Sequence, residues 1–374
     1  MPYPTKKLGE VLEKNGVIPA KIKRDDYRQN GKYPVVDQGE NLIAGYIDDE
    51  QKLYRGDLPV VIFGDHTRIL KYIDFPFAFG ADGIKILRPQ DILLPKFFYY
   101  VLVFNPIENQ GYKRHFSLLT QVKIPLPPLE VQKQIVERLD KIAEAQKLNG
   151  GLIQKTDELF QSLLHKELNP AAPADAKAKA GKKNWENKKL GEVCEKIDQG
   201  QPRNFFKKEF RYIDISSINA EAKEIQNANL IPVEGAPSRA RKIVNAGDIV
   251  FATTRPYLEN IAIVPTGFNN AIASTGFCVI RAKTKIVNPD FIYFTVISKP
   301  FIKKVLPFQR GANYPAVSDK DIFGIKIPLP PLKTQKQIIA KLSAVQGYKK
   351  QLLGQKAKLK ELFDSALHKS MTNK

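Results

Sequence analysis

The 374-residue sequence has only two cysteines, Cys194 and Cys278. This number is too small for a disulfide-stapled scaffold or for an array of zinc fingers. No apolar run reaches the roughly 18 residues that span a membrane, and the first residues lack the apolar stretch of a secretory signal. From these absences we expect a cytoplasmic protein without a membrane partner.

Motifs for catalysis are also missing. There is no G-x-x-x-x-G-K-S/T loop for nucleotide phosphates, no N-P-P-Y or D-P-P-Y tetrapeptide typical of adenine methyltransferases, and no His, Cys and carboxylate cluster at metal-ligand spacing. The glycines of residues 80–83 lack the spacing of a dinucleotide-binding loop and indicate a turn. We therefore expect a non-catalytic chain that binds no metal and no cofactor.

Acidic residues are outnumbered by basic ones. The chain has 59 Lys and Arg against 39 Asp and Glu, which gives a net charge of +20. An excess of this size predicts a polyanionic partner. Hydrophobic residues make up 43% of the chain, which is enough for packed cores and argues against disorder throughout.

An internal repeat organises the chain. Residues 124–139 read IPLPPLEVQKQIVERL and residues 327–342 read IPLPPLKTQKQIIAKL, at an offset of 203 (327 minus 124). The same offset relates LFQSLLHK at 159–166 to LFDSALHK at 362–369. KKLGEV occurs at 6–11 and again at 188–193, whereas the regions between these shared ends do not align with each other. Shared ends around different middles indicate a functional division.

These markers predict five segments. We expect a first globular region at 1–123, a first repeat helix at 124–168, a linker rich in Ala and Lys at 169–184, a second globular region at 185–326 and a second repeat helix at 327–374. Both globular regions mix short β-rich runs with turn signals, which predicts compact α/β (α+β) modules.

Each repeat helix carries an apolar stripe with a period of about 3.5 residues, typical of a coiled-coil seam. Because neither helix can bury its stripe alone, we expect the two to pack antiparallel around a pseudo-twofold axis. Polar residues on the stripe, including Gln146 and Asn149, could fix the register or face a protein partner. The predicted seam consists of Ile135, Leu139, Ile142, Ile153, Phe160, Leu163, Ile338, Leu342, Val345, Leu352, Leu359 and Phe363.

Polar and basic residues of both globular regions cluster near Gly and Pro, which favours loops. Arg, Asn and Gln suit hydrogen bonding to base edges, whereas Lys mostly neutralises phosphates, so with the net charge these clusters predict double-stranded DNA as the partner. The candidates in the first region are Lys21, Lys23, Arg24, His66, Thr67, Arg68, Lys113, Arg114 and His115. Those in the second are Gln201, Arg203, Asn204, Arg239, Arg241, Lys242, Thr253, Thr254, Arg255, Tyr257, Arg310 and Asn313.

Several of these stretches are similar to one known family. They are the duplicated IPLPPLxxQKQI at 124–135 and 327–338, the KKLGEV starts, GDIVFATTRPYLENIAIV at 247–264 and YKRHFSLLTQVKIPLP at 112–127. Over nearly its whole length the chain resembles the specificity (S) subunits of type I restriction–modification systems. The segment at 169–184 departs from the family pattern.

The resemblance implies a role for every segment. Each globular region would be a target-recognition domain that reads one half of a bipartite DNA site, and the two helices would form a spacer that docks two methyltransferase (M) subunits. Restriction (R) subunits would complete the assembly. S-adenosylmethionine, ATP and Mg would be bound by these partner subunits and not by this chain.

Three other functions share some of these sequence features. The same duplication suits a specificity partner of a fused restriction–methylation enzyme. An enzyme acting on nucleic acid is disfavoured by the missing catalytic motifs, and a coiled-coil scaffold without a DNA role is disfavoured by the basic loops.

Overall fold

A computed structural model describes residues 3–13, 21–80, 83–111, 113–168, 185–268 and 271–372. The linker expected at 169–184 lies outside the described residues. By internal packing the chain divides into two compact units, which we call unit 1 (residues 1–150 and 354–374) and unit 2 (residues 151–353). Each unit takes one half of each repeat helix, so the packing units differ in composition from the five segments of the sequence.

The described residues of unit 1 form three small sheets. Their strands are β1 (Thr5–Lys7), β2 (Tyr33–Val36), β3 (Gly45–Ile47), β4 (Val60–Gly64), β5 (Leu70–Ile73), β6 (Ala78–Phe79), β7 (Ile84–Leu87) and β8 (Lys123–Pro125). The strand β4 lies between β5 and β7 in an antiparallel sheet, and all of its residues are buried. A second sheet has the order β3-β2-β6, with β2 and β6 parallel, and β1 pairs with β8.

The first half of the chain forms the helices α1 (Leu8–Val11), α2 (Pro95–Phe104), α3 (Phe116–Leu119) and α4 (Leu129–Leu168). The aromatic run that α2 contains suits a strand or a helix by composition. It forms a helix because Pro95 supplies the fixed φ of a first helical turn. Its rings enter the core, where Phe97 and Phe98 are fully buried.

Unit 2 has larger sheets. Its strands are β9 (Glu186–Lys189), β10 (Cys194–Glu195), β11 (Glu209–Ile213), β12 (Ile218–Asn219), β13 (Glu224–Ile225), β14 (Leu230–Pro232), β15 (Ala240–Val244), β16 (Ile249–Ala252), β17 (Ile261–Ile263), β18 (Ala271–Ser274), β19 (Phe277–Ala282) and β20 (Lys326–Leu329). One sheet has the order β10-β19-β16-β17 and another the order β14-β11-β18-β15, while β12 pairs with β13 and β20 with β9. The helices are α5 (Pro289–Val296), α6 (Lys299–Val305), α7 (Asp319–Gly324) and α8 (Leu332–Thr372).

The two globular regions share a topology although their sequences do not align. In each, a buried strand lies between two antiparallel neighbours: β4 between β5 and β7, and β16 between β17 and β19. Each has a parallel pair, β2 with β6 and β11 with β18, and each follows its main sheet with an apolar helix that starts at proline, α2 or α5. The KKLGEV starts also fold alike, because Glu10 accepts from Lys7 N–H and Glu192 from Lys189 N–H, both at 3.0 Å.

The repeat helices α4 and α8 run antiparallel within both units. In unit 1, Gln146 Nε2 donates to Leu359 O at 3.1 Å and Asn149 Nδ2 to Gln355 Oε1 at 3.3 Å. In unit 2, the partner pairs are Lys349 with Asp157 at 2.6 Å and Lys341 with Glu167 at 3.0 Å. Residue numbers rise along one helix as they fall along the other, as the sequence stripe predicts.

The predicted seam residues are all buried or half-buried, but they pack against more than the opposite helix. In unit 1, Leu139 and Phe363 join the core that holds α2, and the rings of Phe363 and Tyr100 lie 5.9 Å apart. In unit 2, Phe160 lies 6.1 Å from the ring of Phe294 in α5. In each unit, the apolar stripes therefore pack the two helices against each other and against the globular region.

Candidate nucleic-acid interface

Two arginines occupy matching turns of the shared topology. Arg68 lies in the turn between β4 and β5, and Arg255 lies in the turn between β16 and β17. Both have left-handed backbones, with φ of 63° and 50°. A residue other than glycine adopts this backbone conformation at a steric cost, and such residues concentrate at functional sites.

In unit 1, this turn is tied to two other loops. The Arg68 guanidinium donates to Ile107 O at 3.1 Å, and Thr67 Oγ1 donates to Gln38 O at 2.7 Å. Asp65 accepts two backbone N–H groups from the segment that leads into α3, since its carbonyl takes the His115 N–H at 2.9 Å and its carboxylate takes the Phe116 N–H at 2.8 Å. The predicted residues Thr67, Arg68 and His115 therefore lie together.

In unit 2, the matching turn is tied to the loop before α7. The Arg255 N–H donates to Pro315 O at 2.7 Å, and its guanidinium donates to Asn313 O at 3.3 Å. Thr254 and Arg310 both form β-bridges with Ala316. Predicted residues that are more than fifty positions apart in the sequence thus meet on one two-loop surface.

The other candidates of unit 2 lie beside this surface. Gly200 N–H donates to Arg241 O at 2.9 Å, which places the turn that bears Gln201, Arg203 and Asn204 next to β15. Thr275 N–H donates to Arg239 O at 2.8 Å, and Thr253 N–H donates to the adjacent Gly276 O at 2.8 Å.

Most candidate side chains are accessible to a partner. Half-buried positions are His66, Arg68, Arg241, Thr254 and Arg255. Exposed ones are Lys21, Lys23, Arg24, Thr67, Lys113, Arg114, Gln201, Arg203, Asn204, Arg239, Tyr257, Arg310 and Asn313.

Three candidates are buried, which corrects the expectation that all of them lie on exposed loops. His115 is 0% exposed, with Nδ1 donating to Asp65 O at 3.0 Å, and Thr253 donates from Oγ1 to Gly276 O at 2.9 Å. Lys242 lies inside β15, where its ammonium donates to Phe277 O at 2.6 Å and pairs with Asp319. Buried polar and charged groups are held by internal hydrogen-bond partners, so these three side chains serve the structure of this region.

Sequence reasoning missed two glutamines that place the loops. Gln132 Oε1 accepts from Leu94 N–H at 2.8 Å, just before α2, and its Nε2 donates to Ile92 O and Pro127 O, both at 2.9 Å. Gln335 binds the residues before α5 in the same way. Their presence in both copies of the repeat was the signal in the sequence, but the same holds for the exposed Gln134 and Gln337 beside them.

Among the described residues, no group of three or more His, Cys, Asp or Glu side chains could hold a metal ion. In the same part of the chain, no helix combines the length and apolarity that crossing a membrane requires. Cys194 and Cys278 are both buried and unpaired, and burial raises the pKa of both thiols, for Cys194 to about 12.

Comparison with known proteins identifies relatives of this chain. The chain is 25% identical over 357 residues to the specificity subunit of a type I restriction enzyme from Escherichia coli, which covers 89% of this chain and 84% of that protein. It is 30% identical over 323 residues to a protein described as a type I restriction enzyme specificity subunit from Methanocaldococcus jannaschii, covering 79% of this chain and 71% of that protein.

A solved structure shows the same fold. The crystal structure of a type I restriction–modification S subunit from M. genitalium matches with a TM-score of 0.65 at 17% identity, over 98% of this chain and 96% of that chain. The family described as type I restriction modification DNA specificity domain matches residues 2–156 and again residues 182–361. The chain therefore belongs to the family of type I restriction–modification DNA specificity proteins, with one copy of the domain in each half.

Proposed function

We propose that this chain is a non-catalytic specificity subunit that reads a bipartite DNA target, with one half-site contacted by each globular region. The observation that carries the proposal is the matching placement of Arg68 and Arg255, on a shared topology whose loop sequences differ. A common scaffold with different loops suits two globular regions that recognise different DNA sequences, because base contacts by Arg, Asn and Gln determine which sequence is bound.

The long helices offer a surface to protein partners. Leu152 and Leu159 of α4, both in unit 2, are 44% and 52% exposed. Their spacing of seven residues places them on one side of the helix. Large exposed apolar residues grouped in this way mark protein contacts. We assign this face to the docking of methyltransferase subunits, of which the assembly would contain two, with restriction subunits joining them in the cytoplasm.

The chemistry of modification belongs to those partners in this proposal. S-adenosylmethionine, ATP and Mg would be bound by the methyltransferase and restriction subunits. This chain would contribute the choice of DNA sequence and hold the methyltransferase subunits at the two half-sites.

The test is methylome sequencing of cells with and without this chain, together with its methyltransferase subunit. We expect a bipartite methylated motif that disappears when the chain is removed. Replacing Arg255 or Arg239 by Ala should alter only one half-site, and replacing Arg68 or Arg114 only the other, because each of these arginines lies on the loops of a single globular region. A base contact that such a loop makes or positions discriminates by about 1–3 kcal/mol.

The matched control is Arg55→Ala. It removes an exposed arginine outside the proposed DNA-contacting loops, and the methylated motif should stay unchanged. A substitution that relaxed both half-sites equally would show that the two regions do not read independently.

A further inference from the structure

Tyr314 is an unusually exposed aromatic residue. Its side chain is 71% exposed, and it lies in the loop before α7, on the two-loop surface of unit 2. A solvent-facing ring of this size has no role in the core of unit 2. Exposed aromatic side chains on a basic surface suit contact with nucleic acid, either by stacking on unpaired bases or by insertion between the base steps of a duplex.

The position of this ring is set by Arg255. The guanidinium carbon of Arg255 lies 4.9 Å from the centre of the Tyr314 ring, within the range of a cation–π contact. The same arginine binds the carbonyls of Asn313 and Pro315, the residues on either side of Tyr314. Three contacts from one side chain and its backbone thus hold both the loop and the ring.

The backbone conformation of Arg255 also helps to position this loop. Its left-handed conformation brings the N–H to Pro315 while the side chain turns to Asn313 and Tyr314. Conformational strain at a residue that organises an exposed loop is typical of a binding site.

The neighbouring residues indicate DNA as the partner. Tyr257 and Leu258, on the turn that follows Arg255, are 49% and 48% exposed. The acidic side chains of these segments have cationic partners, since Asp321 pairs with Arg310 at 3.3 Å and Glu259 with Lys223 at 3.2 Å. Apolar and aromatic groups beside arginine suit contact with thymine methyl groups or insertion at a base step.

We propose that Tyr314 is a base-contacting residue of the second globular region, and that Arg255 is the positioning residue that holds it against the DNA. This inference rests on the proposed function and adds a specific residue to it. In this proposal Arg255 affects base discrimination by positioning the Tyr314 ring.

The test uses the full-length chain in complex with its methyltransferase subunit. Methylome sequencing first defines the wild-type motif. Discrimination is then measured by comparing the wild-type duplex with duplexes in which one base pair of the motif at a time is replaced. Tyr314→Ala should reduce discrimination about tenfold or more at one base pair or two adjacent ones, all in a single half-site. Tyr314→Phe should retain it because the ring remains. Leu230→Ala, which removes another exposed apolar side chain of unit 2, is the control.

A double-mutant cycle tests the positioning role. If Arg255 acts through Tyr314, Arg255→Ala should affect the same base pairs, and the double variant should lose less than the product of the two single losses. Strictly multiplicative losses would overturn the positioning role.

The remaining outcomes separate this inference from the proposed function. A wild-type motif that does not depend on this chain would overturn both. A wild-type bipartite motif with unchanged discrimination in Tyr314→Ala would overturn the base contact alone. Loss of methyltransferase association with discrimination intact would show that Tyr314 faces a protein, which also overturns it.

Discussion

Gln132 in α4 and Gln335 in α8 are both 0% exposed and make the same three hydrogen bonds. The Gln335 side chain accepts from Asn288 N–H at 2.8 Å and donates to Ile286 O at 3.3 Å and Pro330 O at 2.8 Å. As with Gln132, the three bonds join a proline-rich helix start to the residues before an apolar helix. The repeat motif therefore supplies the same buried bracket to each globular region.

Replacing Gln335 by Ala should destabilise unit 2. The substitution leaves a buried N–H and two carbonyls without their partner, and we expect the free energy of unfolding to fall by about 2 kcal/mol or more. Chemical denaturation measures the effect. Gln337→Ala, two positions along the same helix and exposed, should change stability little. Equal stability of the two variants would contradict the bracket.

A fragment of residues 1–168 should dimerise. It retains Tyr100 and Leu139 but lacks Phe363, which packs against Tyr100 in the full chain. Phe160 occupies the same repeat position as Phe363, so a second copy can supply the missing ring with twofold symmetry. Sedimentation velocity would detect the dimer.

Two variants of this fragment sharpen the test. Leu139→Asp places a charge at a position that is 0% exposed and should abolish the dimer, whereas Leu148→Asp, at a position that is 63% exposed, should leave it intact. A well-folded monomer of the unmodified fragment at tens of micromolar would mean that helix pairing does not drive its association.

DNA affinity should depend steeply on salt. If the basic loops of both globular regions contact the duplex, on the order of ten phosphates are neutralised, and affinity should fall by roughly 10³–10⁵ between 50 and 200 mM salt. Fluorescence anisotropy of the full complex on a labelled duplex gives the slope. A nearly flat response would exclude simultaneous contact by both regions.

Stability should decline in alkali through the thiol of Cys194. Burial raises its pKa from 9.0 to about 12 in spite of the opposing charge of Lys283, so above pH 9 the unfolded chain releases a proton that the folded chain keeps. The stabilisation is complete below pH 9 and is lost as the pH rises towards 12. Urea unfolding at a series of alkaline pH values measures the slope.

Cys194→Ala serves as the control for this prediction. The decline above pH 9 should be shallower in the variant, by up to about 1.4 kcal/mol per pH unit. The same slope in both proteins would mean that this thiol ionises equally in the folded and unfolded chains.

The repeat made much of the fold predictable. The proline-rich starts placed both long helices, and the stripe from Ile135 to Leu163 predicted their antiparallel packing, because helical periodicity is a local property of the sequence. The shared topology of the two globular regions could not be predicted, since it lies in strand order and not in residue identity. Gln132 could not be told from Gln134, because only three-dimensional packing distinguishes a buried amide from an exposed one.

The sequence predicted which residues form the candidate site but not how they are arranged in space. Arg68 and Arg255 were identified as basic loop residues, but their left-handed backbones and the carbonyls that their guanidinium groups bind, about forty to sixty residues away, are features of the folded chain. Lys242 resembles its neighbour Arg241 in the sequence, and its burial follows from Asp319, which is distant in the chain. Tyr314 carried no signal of its own, because its exposure and its contact with Arg255 are features of the folded loop.

The pairing of β1 with β8, and of β9 with β20, has a consequence for inheritance. In each half, a strand at the start of the globular region pairs with the strand at its end, with Thr5 opposite Pro125 and Glu186 opposite Leu329. Two neighbouring points of the chain therefore bound each globular region, and the segments around them are duplicated in the sequence. We expect that recombination at both points between related genes can exchange one globular region, which would change one half-site while both helices keep their sequence.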